Sequence, residues 1–188
     1  MSEKEKMLKG EPYDAYYDNE LAKERSNIKK MCFEYNSIPP SNRKERDKLI
    51  KKILGKTKEN LHIESNFYCD YGYNIEVGEK FYINHNCVIL DCAKVKFGDN
   101  VVIGPNCGFY TAIHPLDAKT RNTGIEWAKP ITVCDNVWIG GGVTVLPGVT
   151  IGSGSVIGAG SVVTKDIPSN VVAVGNPCKP IKEILQNE

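Results

Sequence analysis

Apolar residues recur every six positions through much of the second half of this chain. One row is made of Ile131, Val137, Val143, Val149, Ser155 and Ser161, and a second row, two positions later, is made of Val133, Ile139, Val145, Ile151, Ile157 and Val163. A helix repeats every ~3.6 residues, so it does not fit this pattern. A fixed short period indicates that each repeat forms one flat side of a coil, and that stacked coils form a β-solenoid.

The same paired positions occur earlier in the chain, from Cys69 onward. The pairs are Ile75/Val77, Phe81/Ile83, Cys87/Ile89, Val95/Phe97 and Val101/Ile103. Residues two apart on a short strand point to the same side, so both rows are predicted to face a narrow core. Glycines follow the second row at Gly140, Gly152 and Gly158, which predicts tight corners with positive φ angles. The step from Ile89 to Phe97 is eight residues instead of six, which predicts a bulge near residues 91–94.

The start of the chain has a different pattern. In residues 19–35, apolar side chains lie three, four and seven positions apart, which is typical of an amphipathic helix. The prolines at 39 and 40 end this helix, and a second charged helical stretch follows. Two regions are therefore predicted: a helical segment at residues 1–58 and a solenoid domain at residues 59–188.

Composition excludes several classes of protein. The formal net charge is +1, which gives no basic field for nucleic acid. The polar start lacks the apolar core of a signal peptide, and no apolar run approaches the roughly 20 residues of a membrane span. We therefore expect a cytoplasmic protein. None of the seven cysteines forms a C-x-x-C pair, and Cys69, Cys87 and Cys107 occupy apolar positions of the repeat, where they are predicted to be buried.

The repeat is interrupted at residues 112–130, a polar stretch that contains Arg121, Asn122 and Gly124. A regular solenoid wall has no pocket, so this excursion loop is predicted to project and form a site. His114 lies where the loop leaves the wall, and Pro115 biases it toward an extended conformation. Histidine is the usual general base for deprotonating a hydroxyl. The alternative is that His114 is a loop residue with no special role.

The chain resembles the maltose and galactoside O-acetyltransferases, a family of hexapeptide-repeat acyltransferases. The resemblance is carried by "MLKGEPYDAYYDNELAKERSNIKKMCFEYN", "TAIHPLDAKTRNTGIEWAKPI", "IGGGVTVLPGVTIGSGSVIGAGSVVTKDIP" and "AVGNPCKPIKEI", and it extends over essentially the whole chain. It implies a mainly β fold, namely a left-handed parallel β-helix with a small N-terminal helical segment and an excursion loop. The hand comes from the resemblance alone, since the general rule for parallel crossovers favours the right hand.

The resemblance also implies a reaction, the transfer of an acetyl group from acetyl-CoA to a sugar hydroxyl such as that of maltose or glucose. His114 is the implied general base. Asn84 matches a family asparagine beside the reacting centre, where it orients the acceptor or stabilises developing charge; the alternative is an ordinary turn residue. The oxyanion donor of the family falls on Gly141, which offers only its backbone N–H.

For acetyl-CoA, the family positions are Asn84, Gly141, Ala159, Thr164, Lys165, Lys179 and Lys182. The last two are often arginine in relatives, and lysine keeps the charge without the bidentate geometry. The alternative for both lysines is a solvated end of the chain. No metal is expected.

Acceptor contacts are predicted at Asp70, Tyr82 and Asp91, because a sugar binds carboxylates through its hydroxyls and an aromatic ring through its apolar face. Glu126 either hydrogen-bonds the sugar or orients His114. A sugar-binding position of one branch of the family falls on Cys92, with Asp91 adjacent, and the chain resembles the maltose-type branch more than the galactoside-type branch.

The family also implies a homotrimer with sites between subunits, and no nucleic-acid or membrane partner. Three other functions are alternatives to sugar acetylation. A zinc enzyme of the carbonic-anhydrase type needs three imidazoles, and the chain has His62, His85 and His114, but their spacing includes no close pair. A noncatalytic scaffold leaves the loop histidine unexplained. A hexapeptide acyltransferase with an antibiotic or serine acceptor is disfavoured by the N-terminal segment.

Overall fold

The N-terminal segment consists of three helices and one short strand. The structure is a computed structural model that describes residues 1–185, so the last three residues of the predicted solenoid domain lie outside it. The elements are α1 (Glu3–Lys9), β1 (Tyr13–Asp14), α2 (Asn19–Ser37) and α3 (Arg43–Ile53). The Asp18 carboxylate caps α2 by accepting a hydrogen bond from the backbone N–H of Leu21. Helix α2 buries one stripe of residues, Leu21, Ile28, Cys32 and Tyr35.

A buried arginine docks helix α3 on the solenoid. The Arg46 side chain donates hydrogen bonds to Ser65 Oγ and to the Ile63 carbonyl oxygen, both at 3.0 Å. Its guanidinium also lies 4.4 Å from the centroid of the Tyr35 ring. Together with Ile50 and Ile53, this arginine attaches a helix whose sequence is otherwise strongly polar. The charge-rich sequence gave no indication that one of its cations would be buried.

The rest of the chain winds into stacked coils, each of which has up to three short strands. The first coil contains β2 (Leu61–Ile63), β3 (Tyr68–Cys69) and β4 (Ile75–Val77), and the second contains β5 (Phe81–Ile83), β6 (Val88–Leu90) and β7 (Val95–Phe97). The third contains β8 (Val102–Ile103), β9 (Gly108–Tyr110), an excursion with β10 (Ala112–Ile113), α4 (Ala118–Arg121) and β11 (Ile125–Ala128), and then β12 (Ile131–Val133). The later coils contain β13 (Trp138–Ile139), β14 (Thr144–Val145), β15 (Thr150–Ile151), β16 (Val156–Ile157) and β17 (Val162–Val163), followed by β18 (Val171–Val174) and β19 (Lys179–Glu183).

Corresponding strands of successive coils pair in parallel and form three faces. The first face runs β2-β5-β8-β13-β16-β18, with β19 added antiparallel to β18. The second face runs β3-β6-β9-β14-β17, and the third runs β4-β7-β12-β15. We call the bend between the first and second faces the first corner, and the bend between the second and third faces the second corner. The predicted β-solenoid with an N-terminal helical segment and an excursion is confirmed.

The two predicted rows form the core. Every member from Ile131 to Val163 is at most 2% exposed, and this includes Ser155 and Ser161. The two serines satisfy their hydroxyls by donating to the carbonyl oxygens of Pro168 and Gly158, respectively. Cys69, Cys87 and Cys107 are buried in the same core, as predicted.

The glycines that follow the second row of the repeat allow close stacking of the coils and do not adopt the predicted positive φ angles. Gly140 does not have a positive φ; an added Cβ there would lie 2.7 Å from the backbone nitrogen of Ala159, so close stacking of coils requires glycine. Positive φ angles occur two residues later, at Gly142, and at the matching corner of the lower coils, where asparagines adopt the same conformation. The prediction of positive φ at Gly140, Gly152 and Gly158 was therefore wrong.

Candidate functional site

The second corner is wider in the first three coils than in the fourth. Between paired inward positions of the second and third faces, the step is eight residues from Cys69 to Val77, whereas it is six from Val145 to Ile151. The second coil has the predicted step of eight, and the third coil inserts residues 112–130 at the same place. The eight-residue step after Cys69 is a signal of this widening that is visible in the sequence. The extra residues stack on one another and surround a cavity.

We call this cavity the acceptor cavity, after the acceptor contacts predicted from the sequence. It has a volume of about 280 Å³, and residues from four parts of the chain line it. Four residues predicted from the sequence meet there: Asp70 from the first coil, Cys92 from the second, and His114 and Glu126 from the excursion. The N-terminal segment contributes three more residues, Ala15, Tyr16 and Arg25. The period of the repeat carried no information about these three.

The excursion is an ordered hairpin and not an irregular loop. Strand β10 pairs antiparallel with β11, and β1 of the N-terminal segment pairs with the other edge of β11. The register sets Tyr13 directly opposite Glu126. Asp117 caps helix α4, because its carboxylate accepts a hydrogen bond from the backbone N–H of Thr120. The N-terminal segment thus holds the excursion against the solenoid.

A carboxylate lies beside the histidine. Glu126 Oε2 is 3.6 Å from His114 Nε2, and the other oxygen, Oε1, accepts a hydrogen bond from the Tyr13 hydroxyl. Tyr13 is fully buried, and burial raises the pKa of its hydroxyl, which therefore stays a donor. The His114 side chain is 42% exposed, whereas that of Glu126 is only 10% exposed. The histidine can therefore meet a ligand, while Tyr13 holds the less exposed glutamate beside it.

Asp70 and Cys92 form another part of the cavity wall. Cys92 Sγ donates to Asp70 Oδ2 across 3.7 Å. Burial raises the pKa of both groups, so the Cys92 side chain is a neutral thiol. Arg25 adds a cation, and its guanidinium is fixed by hydrogen bonds to the Tyr71 hydroxyl at 2.6 Å and to the Ala15 carbonyl oxygen at 2.7 Å. The cavity thus offers carboxylates, a guanidinium and an imidazole to a polar ligand.

Asp91 lies beneath this wall and does not line the cavity. It is fully buried, and its carboxylate accepts hydrogen bonds from the backbone N–H groups of Asp70, Tyr71 and Asn74. Burial raises its pKa to about 6. Asp91 therefore acts as a clamp: its hydrogen bonds hold the backbone of the widened corner in the first coil against the second coil.

Tyr82 and Asn84 lie elsewhere in the chain. Tyr82 is on the outer side of the first face, where its ring stacks on His62 with centroids 5.5 Å apart. Asn84 follows β5 at the first corner, and its Oδ1 accepts from the backbone N–H of His85 at 2.7 Å. Neither residue lines the acceptor cavity. A single chain does not bring Asn84 and His114 together.

The residues predicted for acetyl-CoA lie at two corners and on strand β19. Gly141 and Ala159 lie at the first corner, one coil apart, and Lys179 lies near its end because it pairs with Val174 of β18. Thr164 and Lys165 follow β17 at the second corner, and Lys182 is exposed on β19. The described residues include no group of three potential metal ligands, and no helix among residues 1–185 is long and apolar enough to cross a bilayer.

Comparisons with known proteins agree with this architecture. Residues 6–58 match the family described as maltose acetyltransferase hexapeptide capping motif, and residues 130–165 match that described as bacterial transferase hexapeptide (six repeats). A maltose O-acetyltransferase from Clostridium difficile 630 is 51% identical, with a TM-score of 0.96 and 99% of each chain covered. A galactoside acetyltransferase, solved in complex with coenzyme A, is 43% identical, with a TM-score of 0.93 over 98% of this chain and 92% of its own. A hexapeptide-repeat containing acetyltransferase from Vibrio cholerae, complexed with acetyl coenzyme A, is 38% identical, with a TM-score of 0.89 over 99% and 100%.

The widened coils, the capping segment and these likenesses define a class of enzyme. The chain belongs to the maltose and galactoside O-acetyltransferase family of hexapeptide-repeat acyltransferases. It is an acetyltransferase, and its solenoid is the left-handed parallel β-helix of that family, which confirms the predicted fold.

Proposed function

We propose that this chain transfers the acetyl group of acetyl-CoA to a hydroxyl of a sugar such as maltose or glucose, with His114 as general base. The observation that carries the proposal is the half-exposed His114 imidazole, which lines a small polar cavity and has a buried glutamate behind it. The likeness to a maltose O-acetyltransferase and to a galactoside acetyltransferase in complex with coenzyme A supports the sugar and the acetyl donor.

In the proposed reaction, the sugar hydroxyl oxygen attacks the thioester carbonyl carbon while the His114 imidazole takes the hydroxyl proton. The tetrahedral adduct then collapses, the C–S bond breaks, and the proton passes from the imidazolium to the departing thiolate. The products are the acetyl ester and free CoA. A positioned base of this kind contributes typically 10²–10⁴-fold in rate. Glu126 orients the ring and stabilises the imidazolium, and Tyr13 fixes Glu126.

The acceptor is bound by the polar walls of the cavity. Asp70 and Arg25 offer an acceptor and a donor of hydrogen bonds to sugar hydroxyls, and Glu126 faces the same space. The neutral Cys92 thiol, at the family's sugar-binding position, contributes shape and no charge. In this proposal Asp91 acts only through the backbone that it clamps.

The proposed donor site follows the first corner, where Gly141 and Ala159 leave the backbone accessible to a pantetheine chain. Three exposed lysines are proposed as cations for the phosphates of the nucleotide: Lys179 near one end of this corner, Lys182 farther along β19, and Lys165 at the next corner. Thr164, beside Lys165, contributes a hydroxyl.

A homotrimer is part of the proposal, because neither Asn84 nor Tyr82 lines the cavity of its own chain. An adjacent subunit that packs on the outer side of the first face brings them to the cavity of its neighbour. That side supports the idea, since it exposes an apolar row with Val102 43% and Trp138 58% exposed.

The test is His114→Ala, assayed by thiol release from acetyl-CoA with a panel of sugars. We expect transfer to maltose and glucose to fall by about 10²–10⁴-fold. CoA binding by titration calorimetry and the melting temperature should stay unchanged, which serves as the control. Unchanged turnover would remove His114 from the mechanism, and a wild-type enzyme that acetylates no sugar would reject the acceptor class.

A further inference from the structure

Two neighbouring tyrosines expose their rings at the rim of the acceptor cavity. Tyr16 and Tyr17, in the connection from β1 to α2, are 64% and 74% exposed. Large aromatic side chains usually bury most of their surface, because a ring removed from water contributes much hydrophobic stabilisation. Two adjacent exposed rings beside a cavity therefore indicate a surface that a ligand covers.

The backbone holds this tyrosine pair in place. The Asp14 carboxylate accepts hydrogen bonds from the N–H groups of Tyr16 at 3.0 Å and Tyr17 at 2.9 Å, which fixes the turn. The ring centroids are 6.4 Å apart. Gly124 of the excursion lies beneath both side chains with φ +86°, and an added Cβ would lie 3.2 Å from Tyr16 and 3.3 Å from Tyr17. The pair thus rests on the excursion that carries His114.

A second cavity of about 380 Å³ lies between the tyrosine pair and the excursion, and Tyr16 lines both this cavity and the acceptor cavity. The other lining residues are Arg121, Asn122 and Gly124. Arg121 Nη1 donates to the carbonyl oxygens of Pro115 at 3.0 Å and Leu116 at 3.1 Å, so the guanidinium is oriented by the excursion. The Asn122 amide makes no hydrogen bond to the described residues and is available to a ligand.

We propose that this second cavity, lined by Tyr16, Tyr17, Arg121, Asn122 and Gly124, is an outer sugar subsite. It binds the sugar unit next to the one that is acetylated, so the preferred acceptor is a disaccharide or longer glucan and not a free hexose. The rings cover the apolar C–H face of the sugar, while the Arg121 guanidinium and the Asn122 amide hydrogen-bond its hydroxyls. The proposal rests on the proposed function, since it takes the acceptor cavity as the place of transfer.

The test compares maltose with glucose in Tyr17→Ala, because Tyr17 lines the outer subsite and not the acceptor cavity. We expect the KM for maltose to rise by roughly three- to tenfold, the loss of one aromatic contact. The KM for glucose and both kcat values should stay constant. Tyr17→Phe, which retains the ring, should keep the wild-type KM for maltose. Phe33→Ala, which removes another exposed ring on helix α2, is the matched control and should change neither KM.

An unchanged KM for maltose in Tyr17→Ala, or an equal rise for both sugars, would overturn the subsite. A change of oligomeric state in the variant would overturn it as well, because the tyrosines would then cover a second copy of the chain. Calorimetric titration with maltose separates the two proposals. If the wild type acetylates no sugar but binds maltose in a Tyr17-dependent manner, the reaction is wrong and the subsite stands; if it binds no maltose, the subsite also fails.

Discussion

The fourth coil and the first two coils share the same three faces but differ at the second corner. In the fourth coil the chain turns this corner in the regular six-residue step, and the inward residues are small aliphatics that are at most 2% exposed. In the first two coils the step is eight residues, and the corner contains buried polar groups such as Asp91 and Asn74. The acceptor cavity occurs only beside the widened coils.

The regular repeat stabilises the fold, whereas its interruptions form the candidate site. Stacked aliphatic rows bury apolar surface continuously and leave no space between coils. Extra residues at the second corner cannot join those rows, so they form turns whose backbone groups need polar partners. Asp91 and Thr111 provide such partners beneath the cavity, by accepting from backbone N–H groups of the first and second coils, respectively.

The largest expected effect would break the regular coils. Ile151→Lys puts an ammonium group at a fully buried position of the fourth coil, with no partner in the aliphatic core. We expect the free energy of unfolding to fall by more than about 5 kcal/mol, enough to unfold several coils. Loss of the cooperative transition in circular dichroism melts would show this. Thr150→Lys, on the exposed side of the same strand, is the control and should change stability by no more than about 0.5 kcal/mol.

The next largest effect is the loss of stability that comes from burying the Asp91 carboxylate at the widened corner. Burial raises the pKa of Asp91 from 3.8 to about 6, so the folded protein favours its neutral carboxyl. The stability that this preference contributes is complete below about pH 3.8 and is lost as the pH rises through about 6. The free energy of unfolding of Asp91→Asn, taken relative to that of the wild type, should therefore increase by about 2–3 kcal/mol from pH 4 to pH 7. Urea unfolding of both proteins at the two pH values gives the difference, and a difference that does not vary with pH would contradict the prediction.

The smallest expected effect sharpens the role of the N-terminal segment at the widened corner. Tyr13→Phe removes the hydroxyl that fixes Glu126 behind His114. We expect kcat for sugar acetylation to fall about tenfold, with the KM for acetyl-CoA unchanged. In a Glu126→Gln background the same substitution should add little, because Tyr13 acts through the charge of Glu126.

Tyr35→Phe is the matched control for Tyr13→Phe. It also removes a buried tyrosine hydroxyl, one that donates to the Ile63 carbonyl oxygen and accepts from Arg46, away from the cavity. It should lower the melting temperature without changing kcat. Additive effects of Tyr13→Phe and Glu126→Gln would show that Tyr13 supports the fold and not the orientation of the glutamate.

The solenoid, its core rows and the place where the regular wall ends could all be predicted from the order of the amino acids. A six-residue period predicts stacked coils of constant size, because every sixth side chain must point inward. The same pattern located the excursion, and with it His114 and Glu126. Resemblance to a family added the hand of the helix, which the period leaves open.

The set of residues that meet at the cavity depends on long-range packing and became known from the folded chain. The six-residue period carries no information about contacts between the N-terminal segment and the coils, so it did not predict that Tyr13, Tyr16 and Arg25 would lie at the site. It also could not tell that Asp70 would face the cavity whereas Asp91 would be buried beneath it. Both aspartates lie at widened corners, and packing between coils, which is a long-range property, determines the direction of each side chain.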